Sequence, residues 1–453
     1  MKTEVVIVGG GPGGAAAAMF LIEEGIKPII VEKVPFPRYH VGESMTGEAA
    51  RAIQLLGLED KMMSAGHPIK HGVKVYGGSH TTWFVPVTSR DKDWNLSDAI
   101  TWQVRRSDFD QMMLEEAEAR GATVLPGKAS NPILGEDGAV KGVAVETADG
   151  GRLEIESEVL LDCSGQSTWL ANQGVTGPKY LGAYDKQIAI FSQIAGGVRD
   201  SGGPQRDMQK DNTLIFYDQK FQWAWWIPLD EEVVSVGLVQ PSDYFLAKKE
   251  SKRDFFLKEL RARHPELDRR IPEIDLVEDV HVVPNYSYQV KDFTGKGFLC
   301  IGDSHRFIDP IYSFGLTVTM WEAKFAAPLI KAYLNGERRD QPNPFDDFQV
   351  FVEQGNDVLE DTIDLFWEQP LAFAFFVHAR YKDYMTDMFA GRIYDHQPSP
   401  ALLAFRQMLK RERTYDDKGL YSVPIGSRYH PERAPIWQTD SSVETTEEWI
   451  EPD

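Results

Sequence analysis

Two short stretches of this chain carry residues whose types and spacing could do chemistry. The first is Gly9-Gly10-Gly11-Pro12-Gly13-Gly14, which puts glycines at 9, 11 and 14 in a G-x-G-x-x-G spacing. Such glycines let the backbone turn tightly, approach a pyrophosphate closely and pack a helix against a strand. The helix that follows would offer its free amides and partial positive charge to the phosphates. Glu32 lies about 20 residues on, where a carboxylate accepts ribose hydroxyls. The second stretch, Trp223-Ala-Trp-Trp-Ile-Pro228, has three tryptophans in four positions. In a strand, Trp223, Trp225 and Ile227 face one side, and Ala224 and Trp226 the other. Those indoles either fill a plain core or form a wall against something.

The elements around them must hold these groups in place. Val5 to Val8 is an apolar run suited to a parallel strand buried on both faces. A helix through Glu24 and a second strand, Pro28 to Val31, ending at Glu32, complete a βαβ unit. Alternating patterns at Gly72 to Val87, Gln187 to Ile194, Thr213 to Tyr217, Gln222 to Ile227 and Val233 to Val239 predict an antiparallel sheet. Between them, a helix from Arg106 to Arg120 and strands at Val159 to Asp162 and Phe298 to Ile301 return to the first lobe. Helical spacing covers Leu316 to Leu334 and much of Asp346 to Lys410. The acidic stretch from Thr439 to Asp453 is expected to be frayed.

Composition narrows the function. The 453 residues are 42% hydrophobic and 26% charged, a globular balance long enough for two or more lobes. A net charge of -21 argues against nucleic acid and anionic membranes as partners. Two cysteines, Cys163 and Cys300, exclude a disulfide framework and fit a reducing cytosol. No stretch reaches the roughly 18 apolar residues of a membrane span, and no signal peptide precedes the first strand. A cytoplasmic protein is expected. The ten histidines show no metal-site spacing, and no metal is expected. No nucleophile elbow is present either.

Further motifs supply a family resemblance. Pro37-Arg-Tyr-His-Val-Gly-Glu-Ser-Met45, Val104-Arg-Arg-Ser-Asp-Phe-Asp110 and Gly302-Asp303 after an apolar strand resemble the flavoprotein monooxygenase superfamily. The resemblance implies FAD as cofactor, with Gly9, Gly11, Gly14, Glu32, Arg38, Ser44, Arg106, Gly302, Asp303 and Gly315 as its binding residues. Within that superfamily, Trp-x-Trp-x-Ile-Pro is similar to the flavin-dependent halogenases. The family reading makes Trp223, Trp225, Ile227 and Pro228 a shield, keeping organic substrate from the flavin while admitting a small halide. Gly302 to Gly315 resembles the halogenase stretch whose backbone amides bind halide, here those of Phe314 and Gly315. Phe314 replaces the usual small residue. Tyr312 stands where tryptophan halogenases carry a glutamate, which points away from free tryptophan as substrate.

The halogenase lysine is matched by Ile69-Lys-His-Gly-Val73, giving Lys70 as the catalytic residue and Lys74, expected on the same strand face, as the alternative. The expected fold is α/β in two lobes. Residues 1–65, 100–177 and 291–340 form a glycine-loop FAD domain with a parallel sheet. Residues 66–99 and 178–290 form an antiparallel substrate sheet, and 341–453 a helical region over the pocket. The resemblance implies FADH2- and oxygen-dependent halogenation of an electron-rich aromatic (a phenol, pyrrole or indole) with chloride, bromide or iodide as co-substrate. A separate flavin reductase would supply FADH2, and a homodimer is an open option. Acidic charge favours a free small-molecule aromatic over one carried on an acidic protein. Alternatives are an aromatic hydroxylase, a geranylgeranyl-reductase-like flavoenzyme or a non-catalytic flavoprotein. Asp162-Cys-Ser-Gly165 lacks the Asp-Gly pair of the hydroxylases.

Overall fold

The computed structural model describes residues 1–78, 81–394, 400–409, 414–415 and 421–422. The acidic stretch 439–453 lies outside the described residues. The fold is mixed α/β. Strand Lys2–Val8 lies between Ile29–Glu32 and Arg152–Asp162, parallel to both, with Val5 opposite Val159 and Val8 opposite Asp162. Thr123–Leu134 and Phe298–Cys300 extend the sheet on parallel registers, and Val140–Thr147 joins it antiparallel. Val5, Val6 and Ile7 are fully buried, as an apolar run covered on both faces requires. Helix Pro12–Glu23 is buried from Pro12 to Leu21 because its sequence after the glycines is alanine and larger apolar residues. Helix Gly315–Leu334 packs beside it.

Among the described residues the second sheet has eight strands and is antiparallel but for one pair. Thr213–Phe216 runs parallel to Val73–Tyr76, so the expected all-antiparallel sheet needs that correction. Its face bearing Trp223, Trp225 and Ile227 joins one core with the C-terminal helices. The opposite face, with Ala224 and Trp226, packs on Phe255, Phe256 and Leu260 of helix Lys252–Arg263. The alternation read from the sequence therefore separates two cores.

Helix Asp346–Glu368 closes the cavity side. Its buried carboxylates are held by partners from other segments: Glu360 by Arg306 at 2.6 Å, Asp361 by Arg406 at 2.7 Å and Asp364 by the Tyr184 hydroxyl at 2.5 Å. Asp387, in helix Lys382–Ala390, takes Arg90 of strand Thr88–Arg90 and Arg392, which also reaches Glu48 of the first lobe. Among the described residues no helix is long and apolar enough to cross a membrane.

Gly14 marks the tightest contact of the first lobe. A Cβ there would lie 1.9 Å from the Gly9 carbonyl oxygen, inside backbone that cannot yield. Gly14→Ala is therefore expected to destabilise by at least about 1–3 kcal/mol. A thermal melt of the cofactor-free protein reads this, and an unchanged melt would remove the packing argument.

Candidate functional site

The glycine loop is held closed by its own acid. Gly9 donates to the Val31 carbonyl at 2.9 Å, and Gly10 to Glu32 Oε2 at 2.7 Å. Glu32 Oε1 accepts Val34 N–H at 2.8 Å. Each carboxylate oxygen can accept a second bond, so capacity for ribose hydroxyls remains. The space above Gly11 is open except for Arg38 Nη2, 3.6 Å from where a Cβ would stand. Arg38 lies over the Phe36 ring, and its buried Nε has no partner. An open glycine cradle beside an arginine with an unmet donor fits a dinucleotide pyrophosphate.

From this loop a cavity of about 620 Å³ runs toward the second sheet. Gly9, Gly11, Glu32, Arg38, Ser44 and Arg106 line its first part. Asp303, Phe314, Gly315, Trp223, Trp225 and Ile227 line the rest. Gly14, Gly302 and Pro228 do not reach the cavity; they shape the backbone around it. Gly302 has φ +64, its N–H bonds Glu322 Oε2 at 2.6 Å, and a Cβ would strike Thr319. Arg106 spends its guanidinium on Asp110 at 2.6 and 3.0 Å and on the Val41 carbonyl at 2.8 Å, which pins the segment over the cavity. Burial pushes the Asp303 carboxyl up to about 7, with Arg106 opposing.

The turn before helix Gly315–Leu334 is braced by Asp309. Its Oδ1 accepts Ile311 N–H at 2.9 Å and its Oδ2 the Tyr286 hydroxyl at 2.9 Å. Ser313 then takes a left-handed φ of 60 before Phe314 and Gly315 open the helix. First-turn amides have no intrahelical acceptor, and Phe314 and Gly315 line the cavity. A small anion is the natural complement.

Trp223 and Trp225 line the same cavity as that turn. Trp223 is 2% exposed and Trp225 6%, with ring centres 5.9 Å apart. Trp225 Nε1 donates to Ser235 Oγ at 3.1 Å. Gly237 on the neighbouring strand makes room for that indole: a Cβ there would lie 2.2 Å from the ring. The indoles are thus both core and cavity wall.

The two candidate lysines are not on one strand face, contrary to the sequence expectation. Ile69–Lys70 pairs with Thr101–Trp102, whereas Lys74 belongs to Gly72–Tyr76 of the large sheet. The strand breaks because His71 and Gly72 both donate to Asn212 Oδ1, at 3.0 and 2.9 Å. Lys70 turns inward to 2% exposure, its Nζ donating to Ser44 Oγ and the Met45 carbonyl, each at 2.8 Å. Burial alone lowers its pKa to about 7. Lys74 instead reaches the Asp207 carbonyl at 3.3 Å, near the surface. Sequence reasoning missed Asn212, Thr213, Ser235 and Gly237. Only Gly237, a glycine inside a strand pattern, carried a signal. Among the described residues no group of three or more His, Cys, Asp or Glu side chains is placed to hold a metal.

The FAD binding domain family matches residues 2–342. A 1H-pyrrole-2-carbonyl-[peptidyl-carrier protein] brominase of Pseudoalteromonas luteoviolacea is 33% identical, covering 92% of this chain and 97% of that protein. A 1H-pyrrole-2-carbonyl-[peptidyl-carrier protein] chlorinase of Pseudomonas fluorescens is 26% identical over 96% of this chain and 99% of its own. The structure of the flavin-dependent brominase Bmp2 superposes with a TM-score of 0.82 at 33% identity, covering 90% of this chain and 98% of that one.

The uncompensated burial of Lys70 has a stability consequence. Its folded pKa, about 7, lies below the ordinary 10.5, so the unfolded chain binds more protons between those values. Stability therefore rises with pH there, and the burial cost is fully present below pH 7. Lys70→Met abolishes this dependence, so its stability relative to wild type should fall by about 2 kcal/mol from pH 7 to pH 9. Urea unfolding at both pH values measures the difference. Parallel profiles would show that the amine is solvated.

Proposed function

The chain belongs to the FAD binding domain family and, within it, to the flavin-dependent halogenases, and on that premise we propose its reaction. In the cavity a halide would be oxidised to hypohalous acid by dioxygen and bound FADH2 with release of water, and the halogen would then replace a proton on an electron-rich aromatic, with Lys70 assisting the transfer. The carrying observation is that one cavity joins the glycine cradle, the free helix amides and the tryptophan wall, with a buried amine one hydroxyl behind it. Reduced FAD, when bound, supplies the electrons that activate oxygen.

This chain's residues do the rest. The loop at Gly9 and Gly11 and the Arg38 side chain hold phosphate, Glu32 the ribose, and Asp303 the neighbouring polar chain of the cofactor. The amides of Phe314 and Gly315 bind the halide. Trp223, Trp225 and Ile227 keep the aromatic out of the oxidising space. Lys70, poised near pH 7, acts on the oxidant from behind Ser44. An external flavin reductase supplies FADH2.

For the substrate, the two relatives matched nearly end to end support a pyrrole carried as an acyl group on a protein. That support outweighs the charge argument for a free aromatic, since docking depends on a local patch rather than on net charge.

The test is a halide-by-substrate assay with a generic flavin reductase, reading flavin reoxidation by absorbance and product by mass. Lys70→Met should keep reoxidation near wild type and lower product by about 100-fold or more. Normal product from this variant would remove the lysine step. Turnover of free pyrrole-2-carboxylate with no gain on a carrier would restore the free-substrate reading. In Trp225→Ala, peroxide release should rise severalfold and some hydroxylated product appear; loss of soluble protein alone would make the indole purely structural.

A further inference from the structure

The residues that line the cavity include Ser44 and Thr213 but not Lys70. The amine touches that space only through hydroxyls. Lys70 Nζ donates to Ser44 Oγ at 2.8 Å, and Ser44 Oγ lies 2.9 Å from Thr213 Oγ1. Gln103 Nε2 donates to the same Thr213 oxygen at 2.7 Å. Ser44 Oγ accepts from Lys70, and either hydroxyl of the Ser44–Thr213 pair can donate to the other; with Ser44 donating, the Thr213 oxygen accepts from both Ser44 and Gln103. The proton left over is that of the Thr213 hydroxyl, and Thr213 borders the cavity while only 1% exposed.

We propose that Thr213, relayed through Ser44, is the group by which Lys70 acts on what the cavity holds, its hydroxyl being the donor that meets the oxidant's oxygen. This rests on the halogenase reading above and adds a residue to it. Ser44, expected at the cofactor, is here the middle of the relay. Backbone geometry keeps the chain in register: Val104 N–H bonds the Glu43 carbonyl at 2.7 Å and Met45 N–H the Trp102 carbonyl at 3.2 Å, on either side of Ser44. The Asn212 clamp fixes the entry to the strand that carries Thr213. Hydrogen-bond chains of this kind reverse with the state of the amine. A neutral Lys70 can accept from Ser44, Ser44 then accepts from Thr213, and the cavity loses its donor. No charged group acts on the amine, whose bonds go to Ser44 and Met45; Thr101 and Trp102 pair its strand, and Thr213 and Gln103 lie beyond Ser44.

Thr213→Val is nearly isosteric and removes only the hydroxyl. It should leave flavin reoxidation within about twofold of wild type, lower product per flavin reoxidised by about tenfold or more, and raise free hypohalous acid, caught by a small-molecule halogen acceptor, to match. Thr213→Ser should recover product to within about threefold. A second readout needs neither cofactor nor turnover. The titration of Lys70, taken as the pH dependence of urea unfolding relative to Lys70→Met in the same background, should move about one pH unit lower in Thr213→Val. The cause is that Ser44 then has no acceptor but the amine. Thr213→Ser should restore it, and Ser44→Ala gives the same comparison should the valine variant fold poorly. Unchanged coupling and unchanged titration in Thr213→Val would overturn the relay, and so would a serine variant as impaired as valine. Lys70→Met run alongside separates the failures. Normal product from Lys70→Met sinks the halogenase lysine, while loss there with normal product from Thr213→Val sinks only the relay.

Discussion

One side-chain carbonyl, Asn212 Oδ1, takes the amides of both His71 and Gly72, and the site depends on that clamp. A β-strand cannot run straight through two consecutive amides pulled to one point. The chain leaves one sheet and enters another within two residues, which turns Lys70 into the interior while Lys74 stays near solvent. The same asparagine sits immediately before Thr213, so a single polar contact fixes both ends of the hydroxyl chain. Burying an amine without a counter-charge costs free energy, and such costs persist where a group's acidity matters to function.

The tryptophan strand shows how one sequence pattern can be core and wall together. Aromatic side chains bury large areas, about 150–250 Å² each, so the indoles anchor the sheet as surely as any leucine would. Yet Trp223 and Trp225 also line the cavity, and a rigid ring with two torsions makes a better wall than a flexible chain. Gly237 leaves space for the Trp225 ring, and Ser235 fixes its N–H. The strand therefore holds its barrier through neighbours that look unremarkable in sequence.

What was legible in the sequence followed from locality. The glycine loop, Glu32 and the apolar strand before them interact within about 30 residues, where periodicity and turn chemistry carry the information. The facing of Trp223, Trp225 and Ile227 came from the two-residue period alone. The lysine geometry was not legible in the same way. The break between Lys70 and Lys74 is imposed by Asn212, roughly 140 positions away, and no local pattern announces it. Ser44 sits in a motif beside cofactor residues, and no local pattern shows that its hydroxyl pairs with Lys70 and Thr213. Thr213 is an ordinary strand residue by type, and only its neighbours make it chemical.

Glu32 has a further consequence. Its two oxygens close the glycine loop onto Gly10 and Val34 from within the protein's own chain. A loop shaped by its own carboxylate has no segment to order when a nucleotide arrives, so little conformational entropy is lost at that moment. Under the proposal that a separate reductase supplies FADH2, the cofactor loads and unloads every cycle. A ready-made cradle lets that traffic run at the pace of diffusion and release, with no refolding of the receiving end between deliveries.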